Sequence, residues 1–201
     1  MIRTGPSTDL PVVIIAGGGA KRFGTAKGLA KLGERTLLAH VIERVSRQTT
    51  GPICLNAPLD SPYAGHGLQM LPDQAFVDCG PLAGLLTALT FADNIGADEV
   101  CTVPVDTPFL PADLLSRLTK SGAPSIAASS GRTHPICGLW PTASRTALEQ
   151  ALNDGARSAM RWVELSGARK VAFEPQSHID PFFNVNTPSD LKTAERLKDA
   201  P

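Results

Sequence analysis

Short apolar runs alternate along this chain with stretches in which apolar residues recur every three or four positions, and that change of period predicts its elements. Residues 12–15 are four β-branched residues with no polar position among them, the pattern of a strand buried on both faces of a parallel sheet. Leu37, Val41 and Val45, with Leu38 and Ile42 beside them, make one helix face, and Thr36 stands where an N-cap belongs. Residues 52–55 predict a strand ending at Asn56, and residues 67–71 another ending near Asp73. Leu82, Leu85, Leu86 and Leu89 fall at i, i+3, i+4 and i+7 behind Pro81, which suits a first helical position. Residues 99–105 form the next predicted strand and run into Asp106-Thr107-Pro108, followed by a helix over 112–120. Residues 124–128 and 135–140 predict two strands paired around Gly131-Arg132. Helices over 144–152 and 158–165 are separated by Gly155, and a strand follows at 170–173. Residues 183–186 are expected to add one more strand, and Thr187-Pro188 to open a last helix with Leu191 and Leu197 inward.

The resulting order, β-α-β repeated with a hairpin-like insertion in the second half, predicts an α/β fold: three layers, doubly wound around a mostly parallel sheet. Residues 1–201 are expected to form one domain, with 1–9 a loose terminus. At 42% hydrophobic the chain can bury one substantial core. Its 19 basic and 19 acidic residues balance, so no global field draws it to nucleic acid or to an anionic membrane. The apolar run at 10–16 is too short to span a membrane and lacks the architecture of a signal peptide, so a cytoplasmic location is expected. Cys54, Cys79, Cys101 and Cys137 include no C-x-x-C pair, and His40, His66, His134 and His178 fall at no metal-ligand spacing. The cysteines read as small core residues, with Cys79, beside Gly80, the more accessible, and no zinc site is expected.

Chemistry concentrates just after the first strand. Residues 12–32 run from an apolar strand into Gly17, Gly18, Gly19 and Gly24, interleaved with Lys21, Arg22 and Lys27. Glycines let a backbone approach a phosphate and turn N–H groups towards it, and the cations add counter-charge. A dinucleotide fingerprint starting at Gly17 fails at Arg22, and a P-loop starting at Gly19 finds Thr25 where its lysine belongs. Asn56, Asp73 and Asp106 also follow predicted strands, and parallel strand ends converge on one rim. A lone aspartate such as Asp106 suits Mg2+, which takes one or two protein carboxylates and fills its other positions with water and phosphate oxygens; the alternative is an Asx turn to the backbone. Arg22, Lys27 and Asp106 are the candidate catalytic residues, the two cations neutralising a triphosphate as charge builds on departing pyrophosphate. With no nucleophilic Ser/His/Asp set and no carboxylate pair in the pattern, phosphoryl or nucleotidyl transfer fits best.

The motifs Ile15-Ala16-Gly17-Gly18, Arg22-Phe23-Gly24 with Lys27, Cys79-Gly80-Pro81-Leu82-Ala83-Gly84, Pro104-Val105-Asp106-Thr107-Pro108-Phe109, His134-Pro135 and Phe183-Asn184-Val185-Asn186-Thr187-Pro188 occur in an order that closely resembles the molybdenum cofactor guanylyltransferases of the MobA-like nucleotidyltransferase family. The resemblance spans nearly the whole chain. It implies a Rossmann-like nucleotidyltransferase fold, and transfer of GMP from Mg-GTP to the phosphate of molybdopterin with release of pyrophosphate. It carries nucleotide binding onto Ile15, Ala16, Gly17, Gly18, Lys27, Asn56, Asp73 and Asp106, with Asp106 also the Mg2+ ligand. Whether Asp73 reads guanine or ribose stays open. Asn184, Asn186 and Arg157 match positions on the pterin side of the family; the plain alternatives are turn asparagines and an arginine on a solvated face. GTP and molybdopterin are the implied substrates, and molybdoenzymes or their chaperones the implied partners. One departure stands out: the family pattern has an acidic residue before the loop lysine, and this chain has Ala26, which leaves the anchoring of Lys27 in question. Cytidylyl transfer from CTP, or non-catalytic nucleotide binding, are the competing readings; Gly17-Gly18, the 80–84 segment and Thr107 resemble the guanylyl branch.

Overall fold

A computed structural model describes residues 8–17, 26–77, 79–175 and 179–198. Its elements follow the predicted order: β1 (Val12–Ile15), β2 (Lys31–Leu32), β3 (Arg35–Thr36), α1 (Leu37–Ser46), β4 (Ile53–Asn56), β5 (Gln69–Met70), α2 (Pro81–Asn94), β6 (Glu99–Pro104), α3 (Leu114–Ser121), β7 (Ser125–Ser129), β8 (Arg132–Pro141), α4 (Arg145–Asn153), α5 (Ala159–Ser166), β9 (Arg169–Ala172) and α6 (Pro188–Lys198). Seven strands form one sheet in the order β5-β4-β1-β6-β8-β7-β9, and β2 and β3 make a separate two-stranded ribbon. β8 is antiparallel to both of its neighbours, while the other pairings in the large sheet are parallel.

Both faces of the sheet are covered, as the unbroken apolar reading of β1 requires. Val12 and Ile14 pack with residues of α1 and α3 on one face. Val13 and Ile15 pack with α2, α4 and α5 on the other. This follows from the two-residue repeat of a strand, and each such side chain fully removed from water contributes about 1.5–3 kcal/mol. A smaller cluster of Leu32, Leu37, Val185 and Ala194 seats α6 against the ribbon. Thr36 caps α1 by accepting from the Ala39 N–H at 3.1 Å. At α6, Thr187 and Asp190 form a reciprocal capping box: Thr187 Oγ1 accepts from the Asp190 N–H at 3.1 Å, and Asp190 Oδ2 accepts from the Thr187 N–H at 2.8 Å.

Three expectations change. Residues 183–186 add no strand. Two prolines, Pro181 and Pro188, bracket a segment held by turn and long-range bonds, with the Phe183 N–H donating to Asp180 O and the Val185 N–H to Asp106 O, both at 2.9 Å. Residues 8 and 9 belong to the fold, with the Thr8 N–H bonded to Gln48 O, the Thr50 N–H to Thr8 O, and Thr49 Oγ1 2.9 Å from the Thr8 carbonyl and 2.6 Å from that of Leu10; residues 1–7 lie outside the described residues. Cys79 is buried like the other three cysteines. Burial pushes the Cys54 thiol up to about 11 and the Cys101 thiol up to about 12, as expected of cysteines serving as core residues. Among the described residues no group of three or more His, Cys, Asp and Glu could hold a metal, and no helix is long and apolar enough to cross a membrane.

Candidate functional site

The register of the parallel strands brings their ends level. Ile15 pairs with Asn56 on one side and Pro104 on the other, so Ala16-Gly17, Asn56 and Val105-Asp106 emerge side by side on one rim. Beside them lies a cleft of about 540 Å³, lined by Ile15, Ala16, Gly17, Lys27, Pro81 and Asp106 from the strand-end side and by Thr133–Cys137, Phe182 and Asn184 from the other. Ile15, Ala16, Gly17, Lys27 and Asp106 are thus brought together as the motifs implied. Gly18 and Arg22 lie outside the described residues.

Asn56 and Asp73 stand directly behind Gly17. Asn56 Nδ2 donates to Asp73 Oδ1 at 2.7 Å and to the Leu71 carbonyl at 2.9 Å. Thr87 Oγ1 donates to the same Asp73 oxygen at 2.7 Å. A Cβ on Gly17 would lie 3.4 Å from Asn56 Oδ1, and one on Gly84 only 2.4 Å from it. Gly84 is therefore a contact glycine, letting the second turn of α2 close over Asn56. Gly80, the N-cap of that helix, adopts φ 62°, where glycine has no steric cost.

Lys27 lies at the start of a 3₁₀ turn over Lys27–Leu29. Its Nζ forms an ion pair with Asp106 Oδ2 and hydrogen bonds to Asn186 Oδ1 and, at 3.2 Å, to Asn184 Oδ1. Lys27 and Asp106 each keep only 14% of the side chain exposed, and a pair so far out of water holds only if further hydrogen bonds compensate its lost hydration. The two asparagines supply them. The question raised by Ala26 is answered by this geometry: partners 79, 157 and 159 residues away anchor Lys27, with no acidic neighbour in the chain. The turn is fixed from beneath by Tyr63, whose hydroxyl accepts from the Gly28 N–H at 2.8 Å. Burial, opposed by that bond, raises the Tyr63 pKa and keeps the phenol neutral. A Cβ on Gly28 would lie 2.5 Å from Val105 Cγ2, so the lysine can sit here only because glycine follows it.

Arg157 is not brought to the cleft. Its Nη1 donates to the carbonyls of Leu152, in the last turn of α4, and of Ala156, just beyond it, at 3.0 and 2.7 Å. The sequence reading missed Tyr63 and Thr87, which fix the turn and Asp73, and it read His134 only as part of a motif. Tyr63 is the single tyrosine of the chain, and Thr87 is the one hydroxyl on the otherwise apolar 82–89 stretch of α2; neither carries a local signal of its partner.

Two buried oxygens at the rim have no hydrogen-bond partner, Asp106 Oδ1 and Asn56 Oδ1. A buried carboxylate oxygen left bare costs about 1–3 kcal/mol or more, and such an oxygen on a residue that lines the cleft fits a hard divalent cation.

The chain is similar to known proteins over nearly its whole length. The family model of the MobA-like NTP transferase domain matches residues 12–171. The molybdenum cofactor guanylyltransferase of Rhizobium leguminosarum bv. trifolii is 38% identical over 203 residues, covering 96% of this chain and 95% of the relative. That of Acidiphilium cryptum is 42% identical over 191 residues, covering 94% and 95%. Among solved structures, molybdopterin-guanine dinucleotide biosynthesis protein A from Archaeoglobus fulgidus has a TM-score of 0.69 at 23% identity, covering 94% of this chain and 98% of its own. A 2-C-methyl-D-erythritol 4-phosphate cytidylyltransferase from Thermus thermophilus has a TM-score of 0.65 at 22% identity over the same shares, so the two solved structures have the same fold. With the family model matching most of its length and relatives at 38–42% identity along nearly all of it, the chain belongs to the MobA-like NTP transferase domain family.

Proposed function

We propose that the protein transfers GMP from GTP to the phosphate of molybdopterin, giving molybdopterin guanine dinucleotide and pyrophosphate. The observation that carries this reading is Lys27, which joins the strand-end residue Asp106 to Asn184 and Asn186 inside one cleft. Relatives of near-equal length named for this reaction support it.

The nucleotide lies along the strand ends, its phosphates against the 16–17 backbone and Lys27. Asn56, Asp73 and the start of α2 flank the base and ribose. The Asp73 carboxylate, held by Asn56 and Thr87, offers acceptor atoms, which complement the N–H edge of guanine. Asp106 would hold Mg2+ through its unpartnered Oδ1, and the cation supplies charge neutralisation for the triphosphate. An oxygen of the acceptor phosphate attacks the α-phosphorus, the α–β bridging bond breaks, and its electron pair leaves on pyrophosphate. No general base is needed, because a phosphate monoester is already anionic near neutral pH. Lys27 and Arg22 therefore act by holding reactants in line and by meeting negative charge, effects that dominate such reactions. Asn184 and Asn186 orient the acceptor phosphate from the other wall. The protein works in the cytoplasm within this reading, and its product passes to molybdoenzymes or their chaperones.

Pyrophosphate release is measured with GTP, CTP, ATP and UTP in parallel, with and without molybdopterin. Release that needs both GTP and molybdopterin is expected. A preference for CTP, or GTP binding without release, overturns the proposal.

A further inference from the structure

The second wall of the cleft carries a network that guanylyl transfer leaves without a task. In the sheet order β8 lies beyond β6 from β1, so this wall stands next to the strand-end half and faces away from Asn56 and Asp73. The pairing of β7 with β8 slips by three residues, from Ile126 opposite Gly138 to Ala127 opposite His134. The bulge at Pro135, Ile136 and Cys137 lies in the cleft wall together with His134, and bulges re-aim side chains in this way next to sites. Phe182 stacks on the His134 ring with centroids 4.6 Å apart and planes 24° apart. Phe173 meets Phe182 edge-on at 5.3 Å.

A hydrogen-bond chain fixes the imidazole. Ser129 Oγ donates to Asp180 Oδ1 at 2.7 Å and lies 2.8 Å from His134 Nε2. A serine hydroxyl has one proton to give. Burial alone would raise the Asp180 pKa, but hydrogen bonds from Ser129, the Phe182 N–H and Ser130, with the attraction of His134, outweigh it and lower the carboxyl pKa. Asp180 is therefore an ionised acceptor that takes the serine proton, and His134 Nε2 must carry the proton it shares with Ser129. Burial also lowers the His134 pKa, against the pull of Asp180. The ring is neutral near pH 7, and Nδ1 keeps its lone pair. Among the described residues nothing hydrogen-bonds to Nδ1.

We propose that His134 recognises the ring end of the acceptor, presenting Nδ1 as a hydrogen-bond acceptor to an N–H donor of a flat fused heterocycle that lies against the His134–Phe182 pair. The chemistry excludes the opposite orientation. A neutral imidazole tied to a carboxylate does not attract a phosphate, whereas Lys27, with Asn184 and Asn186 around it, does. The acceptor thus lies with its phosphate at Lys27 and its heterocycle at His134. The 2-amino-4-oxo ring of a pterin has the required N–H edge, and this identification rests on the guanylyl-transfer reading above. Guanine has the same edge, but the reading above places it by Asp73, beyond β4 and on the opposite side of β1 from this wall.

The test titrates molybdopterin into the full-length protein, following pterin fluorescence, alongside steady-state kinetics with GTP. His134→Phe keeps a ring against Phe182 and removes Nδ1. It is expected to weaken molybdopterin binding and raise its KM about three- to tenfold, the worth of one neutral hydrogen bond, with the KM for GTP and the kcat at saturation unchanged. Ser129→Ala removes the hydroxyl that links His134 Nε2 to Asp180, so the tautomer is no longer set, and molybdopterin binding is expected to weaken up to as much as in His134→Phe while thermal unfolding shows an intact fold. Molybdopterin affinity unchanged in His134→Phe, or a GTP KM that rises in step with that of molybdopterin, overturns the proposal, as does a wild-type protein that binds no pterin. Pterin binding that depends on His134 without any transfer of GMP would sink the guanylyl-transfer reading and leave His134 as the pterin-recognising residue.

Discussion

The two halves of the cleft are built by different means. The strand-end half comes from consecutive residues on parallel strands and one helix start, so that Ile15, Ala16, Gly17 and Asp106 fall into place once β1, β4 and β6 pair. The other half is assembled across the chain: Ser129 meets Asp180 51 residues away, and Asn184 and Asn186 reach Lys27 from 157 and 159 residues away. The first half inherits its precision from backbone register, which one buried strand already specifies. The second depends on side-chain bonds that form only when the segment after β9 returns over the sheet. The matched part of the family model ends at residue 171, before that return begins. Placement of Asp106 and Gly17 is therefore set by strand register in the first half, and placement of His134, Asn184 and Asn186 by long-range side-chain bonds in the second.

The contrast is sharpest at Asp106. Asp106→Asn is expected to lower transfer about a hundredfold or more with the thermal midpoint preserved, measured by pyrophosphate release and circular dichroism; unchanged turnover would remove the strand-end half from the chemistry. Lys27→Ala touches both halves. It is expected to cost about ten- to a hundredfold in kcat/KM and to raise the KM for GTP and molybdopterin together, whereas a rise for GTP alone would show that the bonds to Asn184 and Asn186 carry nothing. Gly84→Ala probes the packing of the first half alone, since its Cβ would lie 2.4 Å from Asn56 Oδ1. A loss of about 1–3 kcal/mol in urea unfolding is expected from such overpacking, with a weaker affinity for GTP and none of the effect on molybdopterin.

Acid should act on the second half first. Because burial holds the His134 pKa below 6.5, the unfolded chain takes up this proton before the folded one as pH falls. Stability therefore declines as pH drops below 6.5 and levels off beneath the folded value. Asp180 adds stability present above its ordinary value of 3.8 and lost as pH falls through its lower folded value. The difference in urea midpoint between pH 7 and pH 5.5 is expected to be smaller in His134→Phe than in the wild type. An equal difference would show that the ring titrates alike in both states. The smallest effect expected is that of Thr87→Val, which removes one bond to Asp73 and should cost about 1 kcal/mol or less in GTP binding by calorimetry.

Several parts of this picture are legible in residues alone. The unbroken β-branched run of β1, the leucine spacing of α2 and the Thr36 cap depend on local sterics and periodicity, and each element occurs where those features place it. The segment 183–186 misled because alternating apolar and polar residues suit a strand, while the flanking prolines and the bonds of Val185 and Asn186 to Asp106 and Lys27 hold it as an irregular strap. For Arg157 the sequence offered a ligand or a solvated-face arginine, and the structure shows its guanidinium bonded to nearby carbonyls, which no local pattern announces. Ala26 was a departure within the local motif, and its compensation lay in residues no local window contains.

By itself the sequence determined the layered α/β architecture, the strand ends that carry Gly17, Asn56 and Asp106, and the family, because hydrophobic period and short motifs are properties of neighbouring residues. Only the tertiary structure decided that Lys27 is held by Asp106 and two distant asparagines, that Tyr63 and Gly28 set its turn, and that Ser129 bridges Asp180 and His134. Hydrogen bonds between side chains far apart in the chain act only over about 3 Å, and nothing brings them within that range until the fold is complete.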